Sequence, residues 1–152
     1  MQTDTTAPEF DPNNDPAKLA RIGTLVTKRL DANPLVQQVD HAEAQLYLYE
    51  GFLSAADCKT LIAKIDADAV PSTLYKGTEQ KGFRTSYSCH LNRWDAFIAK
   101  VEARMSDVLG IDNTYAETMQ GQRYQVGQEF KAHHDFFHPT QSYWAHEGPY
   151  WV

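Results

Sequence analysis

Residues 123–139, RYQVGQEFKAHHDFFHP, hold three of the chain's six histidines beside one aspartate, Asp135. In an extended segment His133 and Asp135 lie two residues apart and point to the same side, so both reach one metal ion, while His134 points away. An imidazole and a carboxylate so placed are two corners of a 2-His-1-carboxylate triad. That arrangement leaves adjacent positions on Fe(II) open for oxygen and a chelating cosubstrate. A bare H-x-D triplet is too short to be diagnostic, so its meaning depends on the residues around it.

Those residues form a wider pattern. Tyr124, Gly127, Phe130, His133 and Asp135 follow one another at spacings of three, three, three and two, preceded by Arg84-x-Ser86 and by Glu117. With these residues in place the chain resembles the prolyl 4-hydroxylase-like branch of the 2-oxoglutarate- and Fe(II)-dependent dioxygenases. LYEGFLSAADCKTLI is similar to that family's entry strand and first support helix, FRTSYS to its R-x-S strand, and ETMQGQRYQVGQEFKAHHDFFHP to the core strands that carry H-x-D.

The resemblance implies that His133 and Asp135 are iron ligands, that Tyr124 lines the 2-oxoglutarate pocket, and that Arg84, Ser86 and Glu117 occupy supporting positions. It further implies Fe(II) as the metal, 2-oxoglutarate as cosubstrate and ascorbate as the agent that keeps the iron ferrous. Decarboxylation of 2-oxoglutarate to succinate and carbon dioxide is then coupled to hydroxylation of a protein, peptide or small-molecule substrate, classically at a prolyl residue. The family fold is a double-stranded β-helix, or jelly roll, flanked by helices. Its third ligand is a later histidine, followed by a Lys or Arg that pairs with the far carboxylate of 2-oxoglutarate. The 36 residues from Glu117 to Val152 suffice for only three or four strands at ~8–12 residues per strand and turn. The expected fold class is therefore α+β, with N-terminal support helices packed on a partial jelly roll. Residues 15–152 are read as the N-terminal part of the domain, with the C-terminal half of the barrel missing. His146 is the one later histidine that could swing back as a surrogate third ligand, although a short loop fixes a ligand poorly.

Other readings stand beside this one. A truncated, non-catalytic binding or oligomerising module of the same descent accounts for the same residues. His134 and His138, spaced i and i+4, could clasp zinc on a helix with Glu129 as a base, but they match no zinc signature cleanly. The bland alternative for His133 and Asp135 is a hydrogen-bonded pair, for Tyr124 a half-buried strand aromatic, and for Arg84 a pairing with a surface carboxylate. Phe136, Phe137, Tyr143, Trp144, Tyr150 and Trp151 suit either a substrate-binding wall or ordinary packing.

The elements that must position these groups can be read from caps and periodicity. Residues 1–14 are polar and without apolar period, and are read as a disordered leader. Asp15-Pro16 has the form of an N-cap with proline at the first helical position. Leu19, Ile22, Val26 and Leu30 continue a helix up to Asn33-Pro34. QLYLY, 45–49, reads as a strand. Ser54 and Asp57 form a capping-box pattern opening a second helix to about Asp68, with Cys58, Leu61, Ile62 and Ile65 on one face. A polar connection over 70–82 leads to a strand over 83–91. A third helix carries Ile98, Val101, Met105 and Val108 and stops at Gly110. A weak strand over 117–126 is polar enough to line a site.

Composition bounds the rest. The 152 residues fit a single domain, and 42% hydrophobic with 12% aromatic content is that of a globular chain. Twenty acidic against 14 basic residues leave a net charge of −6, a poor match to nucleic acid. The sequence has no membrane-length apolar run and no secretory-type N-terminus, which gives an expected cytoplasmic location without a membrane partner. Cys58 and Cys89 are expected to be reduced and buried. A sheet left open at its edge would offer a route to oligomers.

Overall fold

The computed structural model describes residues 15–74 and 81–133. The chain divides into two compact units, Met1–Leu25 with Ala132–Val152, and Val26–Lys131. Helix α1, Pro16–Asp31, begins as its sequence predicts, with the Ala17 N–H donating to Asp15 Oδ1 at 2.9 Å. Its apolar stripe is only partly used: Leu30 is buried, whereas Leu19, Ile22 and Leu25 are exposed.

Within the second unit, α1 is tied down at its C-terminal end. Arg29 Nε donates to the carbonyls of Asp107 and Val108 at 2.9 and 3.2 Å, which places a cation on the C-terminal carbonyls of another helix, where the helix dipole favours it. Strands β1 (Gln37–Val39) and β2 (Leu46–Leu48) form an antiparallel pair in the register Gln37↔Leu48. The 45–49 strand is thus present but shorter. Its partner QQV, short and polar, carries no sequence signal. Tyr47 anchors the pair by donating from its hydroxyl to Asp31 Oδ1 at 2.9 Å.

Helix α2, Ala55–Asp68, opens on the complete capping box. The Asp57 N–H donates to Ser54 Oγ at 3.1 Å, and Asp57 Oδ2 accepts from the Ser54 N–H at 3.3 Å. Leu61 and Ile65 pack on the core. Ile62 and Cys58 face outward, so the expectation of two buried thiols holds only for Cys89. On α2 it is Leu61 and Ile65, four residues apart, that pack on the core, while Cys58 and Ile62 on the same helix remain exposed.

The second sheet has the order β3 (Val70–Pro71), β4 (Tyr87–His90), β5 (Gln120–Arg123), all antiparallel. Pro71, which has no N–H to donate, sits on an edge strand. The expected strand over 83–91 is longer than β4 in its pairing. Beyond β5 the segment 124–128 loops out, and the chain then rejoins the same strand through the Arg84↔Phe130 bridge. The Thr85 N–H donates to Glu129 O at 2.9 Å and the Lys131 N–H to Phe83 O at 3.0 Å. Gly127 turns this loop at φ 85°, a value that L side chains rarely adopt.

Helix α3, Ala96–Leu109, is capped by Asp95, which accepts from the Phe97 and Ile98 N–H groups, and ends at Gly110 with φ 70°. Ile98 and Val101 are buried, while Met105, expected on the same face, is exposed. A short 3-10 turn, Asn113–Tyr115, leads into β5. The core consists of Cys89, Leu91 and Ile98, packed by Leu61, Ile65, Phe97 and Met119. These helices and small antiparallel sheets are an α+β arrangement; the described strands do not by themselves make a jelly roll.

Candidate functional site

Alternation along one strand places Arg84, Ser86, Ser88 and His90 on the same face. Pairing with β3 brings Ser72 against them, its N–H donating to Ser86 O at 2.9 Å. The result is a connected polar cluster. Arg84 Nε donates to Ser86 Oγ at 3.3 Å, Nη2 to Ser88 Oγ at 3.0 Å and Nη1 to Thr73 O at 3.3 Å. Ser72 Oγ contacts the hydroxyls of both Ser86, at 3.0 Å, and Ser88. The Phe130 ring lies 4.6 Å from the guanidinium carbon, so the flat cation is stacked as well as hydrogen-bonded.

Arg84, Ser72, Ser88, His90, Gln120 and Phe130 line a cleft of about 700 Å³. Ser86 lies beneath it and is 2% exposed. Arg84 makes no ion pair among the described residues, so its charge is met by hydroxyls, a carbonyl and an aromatic face. The carboxylate partner that the alternative reading of Arg84 calls for is not found among the described residues. Of this cluster the sequence reading identified Arg84 and Ser86. Ser88 was legible in the alternating R-x-S-x-S pattern, whereas Ser72 arrives only through the β3–β4 pairing.

The polar strand expected to line a site does contribute, through Gln120 of β5. Tyr124 follows β5 at the start of the looped-out segment. It is 46% exposed and donates from its hydroxyl to Gln122 Oε1 at 3.1 Å, outside the lining of this cleft. Glu117 is exposed ahead of β5. His133 is exposed and belongs to the unit that contains Ala132–Val152. Asp135, His134, His138, His146 and the aromatic residues from Phe136 onward lie outside the described residues. Among the described residues no three His, Cys, Asp or Glu side chains converge to hold a metal ion. No described helix is long and apolar enough to cross a membrane.

Three aspartates near helix starts have carboxyls held below their ordinary range. For Asp57 the main cause is the Ser54 hydroxyl, for Asp95 the bond from Lys64, whose Nζ lies 2.6 Å away, and for Asp112 the backbone N–H of Thr114. These shifts belong to helix capping and not to the cleft.

In sequence the chain is similar to prolyl 4-hydroxylases of Arabidopsis thaliana. It is 31% identical to "Probable prolyl 4-hydroxylase 3" over 100 residues, which are 62% of this chain and 35% of the relative. It is 32% identical to prolyl 4-hydroxylase 5 over 100 residues, 62% of this chain and 34% of that protein. With prolyl 4-hydroxylase 2 it shares 28% identity over 108 residues, 68% and 36% of the two chains. The chain thus spans about a third of the length of the curated relatives it matches. No family model matches it, and no solved structure does. These similarities support a prolyl 4-hydroxylase-like family.

Proposed function

We propose that this relative of the prolyl 4-hydroxylases is part of a 2-oxoglutarate- and Fe(II)-dependent dioxygenase that hydroxylates a prolyl residue in a protein or peptide. The observation that carries the reading is the similarity to these enzymes over 62% of the chain, in a sequence that also holds His133-x-Asp135 behind Tyr124 and Gly127. On this reading β3, β4 and β5 belong to a jelly-roll core, and α1 and α2 are its support helices.

His133 and Asp135 would hold the metal, and Tyr124 would line the cosubstrate pocket. One imidazole and one carboxylate suit Fe(II), but they are one protein ligand short of a facial triad, and the described residues do not complete the set. A bound iron would let dioxygen, the oxidant, be activated at the expense of 2-oxoglutarate, which is oxidised to succinate and carbon dioxide, with ascorbate keeping the metal ferrous. The chain's own part would be to place donors: the carboxylate of Asp135 would lower the net charge at the metal, and the phenol of Tyr124, whose proton goes to Gln122 Oε1 in the structure, would turn from that acceptor to an oxygen of the cosubstrate.

Anaerobic addition of 2-oxoglutarate to the chain with Fe(II) tests this reading. A visible charge-transfer absorption that requires both components, and that Tyr124→Phe weakens, is the expected result. An iron-containing chain without any 2-oxoglutarate-dependent absorption would overturn the reading.

A further inference from the structure

The cleft around Arg84 has more donors than its own residues consume. A guanidinium carries five N–H groups. Those of Arg84 have three acceptors among the described residues, Ser86 Oγ, Thr73 O and Ser88 Oγ, which leaves two N–H groups without a described acceptor. The hydroxyls of Ser72, Ser86 and Ser88 bring three protons to two oxygen–oxygen contacts, so at least one more proton is spare. Arg84 forms no ion pair among the described residues, although Asp68 borders the same cleft, and Phe130 covers one face of the guanidinium.

We propose that this cleft is a carboxylate-binding subsite, with Arg84 as the charge, the Ser72 and Ser88 hydroxyls as the supporting donors, and buried Ser86 holding Arg84 and Ser72 in place. Two N–H groups and one O–H suit a planar acceptor with two oxygens and a single negative charge. A phosphate dianion fits less well, because one guanidinium is the cluster's cation and Asp68 also lines the cleft. The carboxylate could be that of a small organic acid or of an acidic side chain in a peptide. The inference stands on the geometry of β3 and β4 and needs no metal, so its failure and the failure of the hydroxylase reading are separate results.

Isothermal titration of the full metal-free chain with two probes tests it. Succinate represents the small acid, and an end-blocked tripeptide centred on glutamate represents the peptide. Each is compared with its uncharged counterpart, succinamide or the glutamine tripeptide. The structure calls for binding of at least one carboxylate probe, weakened roughly tenfold or more in the amide and in Arg84→Gln. Binding of succinate alone identifies the small acid as the source, and binding of the peptide alone identifies the side chain. Because Arg84→Gln also removes bonds to Ser86 and Ser88, Ser72→Ala serves as a second variant and should weaken binding to a smaller extent. Failure of both probes, or equal binding of acid and amide, overturns the proposal, as does undiminished binding by folded Arg84→Gln.

Discussion

Gly121 and Ile65 meet where β5 passes under α2, so closely that a Cβ on Gly121 would stand 2.5 Å from Ile65 Cγ1 and 3.0 Å from Cys89 Sγ. The glycine is what lets the helix lie against the sheet that carries the Arg84 cluster. Gly121→Ala should therefore destabilise the chain by about 1–3 kcal/mol, as overpacking of a filled core does. Urea denaturation of the single variant and of Gly121→Ala combined with Ile65→Ala measures it. Because Ile65→Ala removes the obstructing atoms, the two changes should cost less together than the sum of each alone. Strict additivity would mean that the contact is not felt.

Ser54 closes the capping box of α2 through its bond from the Asp57 N–H. Ser54→Ala should lower stability by about 1 kcal/mol, and Ser54→Gly by less, since glycine is itself a tolerated cap. Thermal unfolding followed by circular dichroism orders the three proteins. An alanine variant as stable as the parent would show that the cap contributes nothing.

Acid should weaken the fold in a defined window. Asp57, Asp95 and Asp112 all have folded-state carboxyls below their ordinary value. The stability they contribute is fully present above the unfolded aspartate value of about 4 and is lost as pH falls through the lower folded values. Urea midpoints should fall as the pH drops below about 4, and Lys64→Met should flatten that fall by removing the partner of Asp95. A midpoint that does not change across this window would contradict the assignment.

The two thiols should differ in reactivity. Cys58 is exposed on α2, and Cys89 lies in the core at 7% exposure. A disulfide exchange reagent should titrate one thiol promptly in the native chain and the second only on unfolding, and Cys58→Ser should abolish the fast phase. Two fast thiols would place Cys89 outside the core.

The sequence made the three helices legible because each boundary is written in side chains that bond the backbone: Asp15 before Pro16, Ser54 with Asp57, and Gly110 at a positive φ. Which face of a helix is covered depends on what packs against it, so Leu19, Ile22 and Met105 share a helical period with buried residues and are nonetheless exposed. Strands of two or three residues such as β1 and β3 carry too little period to be seen. The R-x-S strand was readable, but the cluster it nucleates was not, because Ser72 joins it through strand pairing across 14 residues. Of the expected iron ligands, Asp135 lies outside the described residues, and His133 rests on the sequence pattern and on the likeness to prolyl 4-hydroxylases.

In the proposed function His133 and Asp135 would hold iron. Anaerobic equilibrium dialysis of the chain against Fe(II), run in parallel with His133→Ala and Asp135→Ala, tests it most directly. Weak binding of one Fe(II) by the parent chain is expected, with loss of that binding in both variants while each remains folded by circular dichroism. Retention of iron by both folded variants would contradict it.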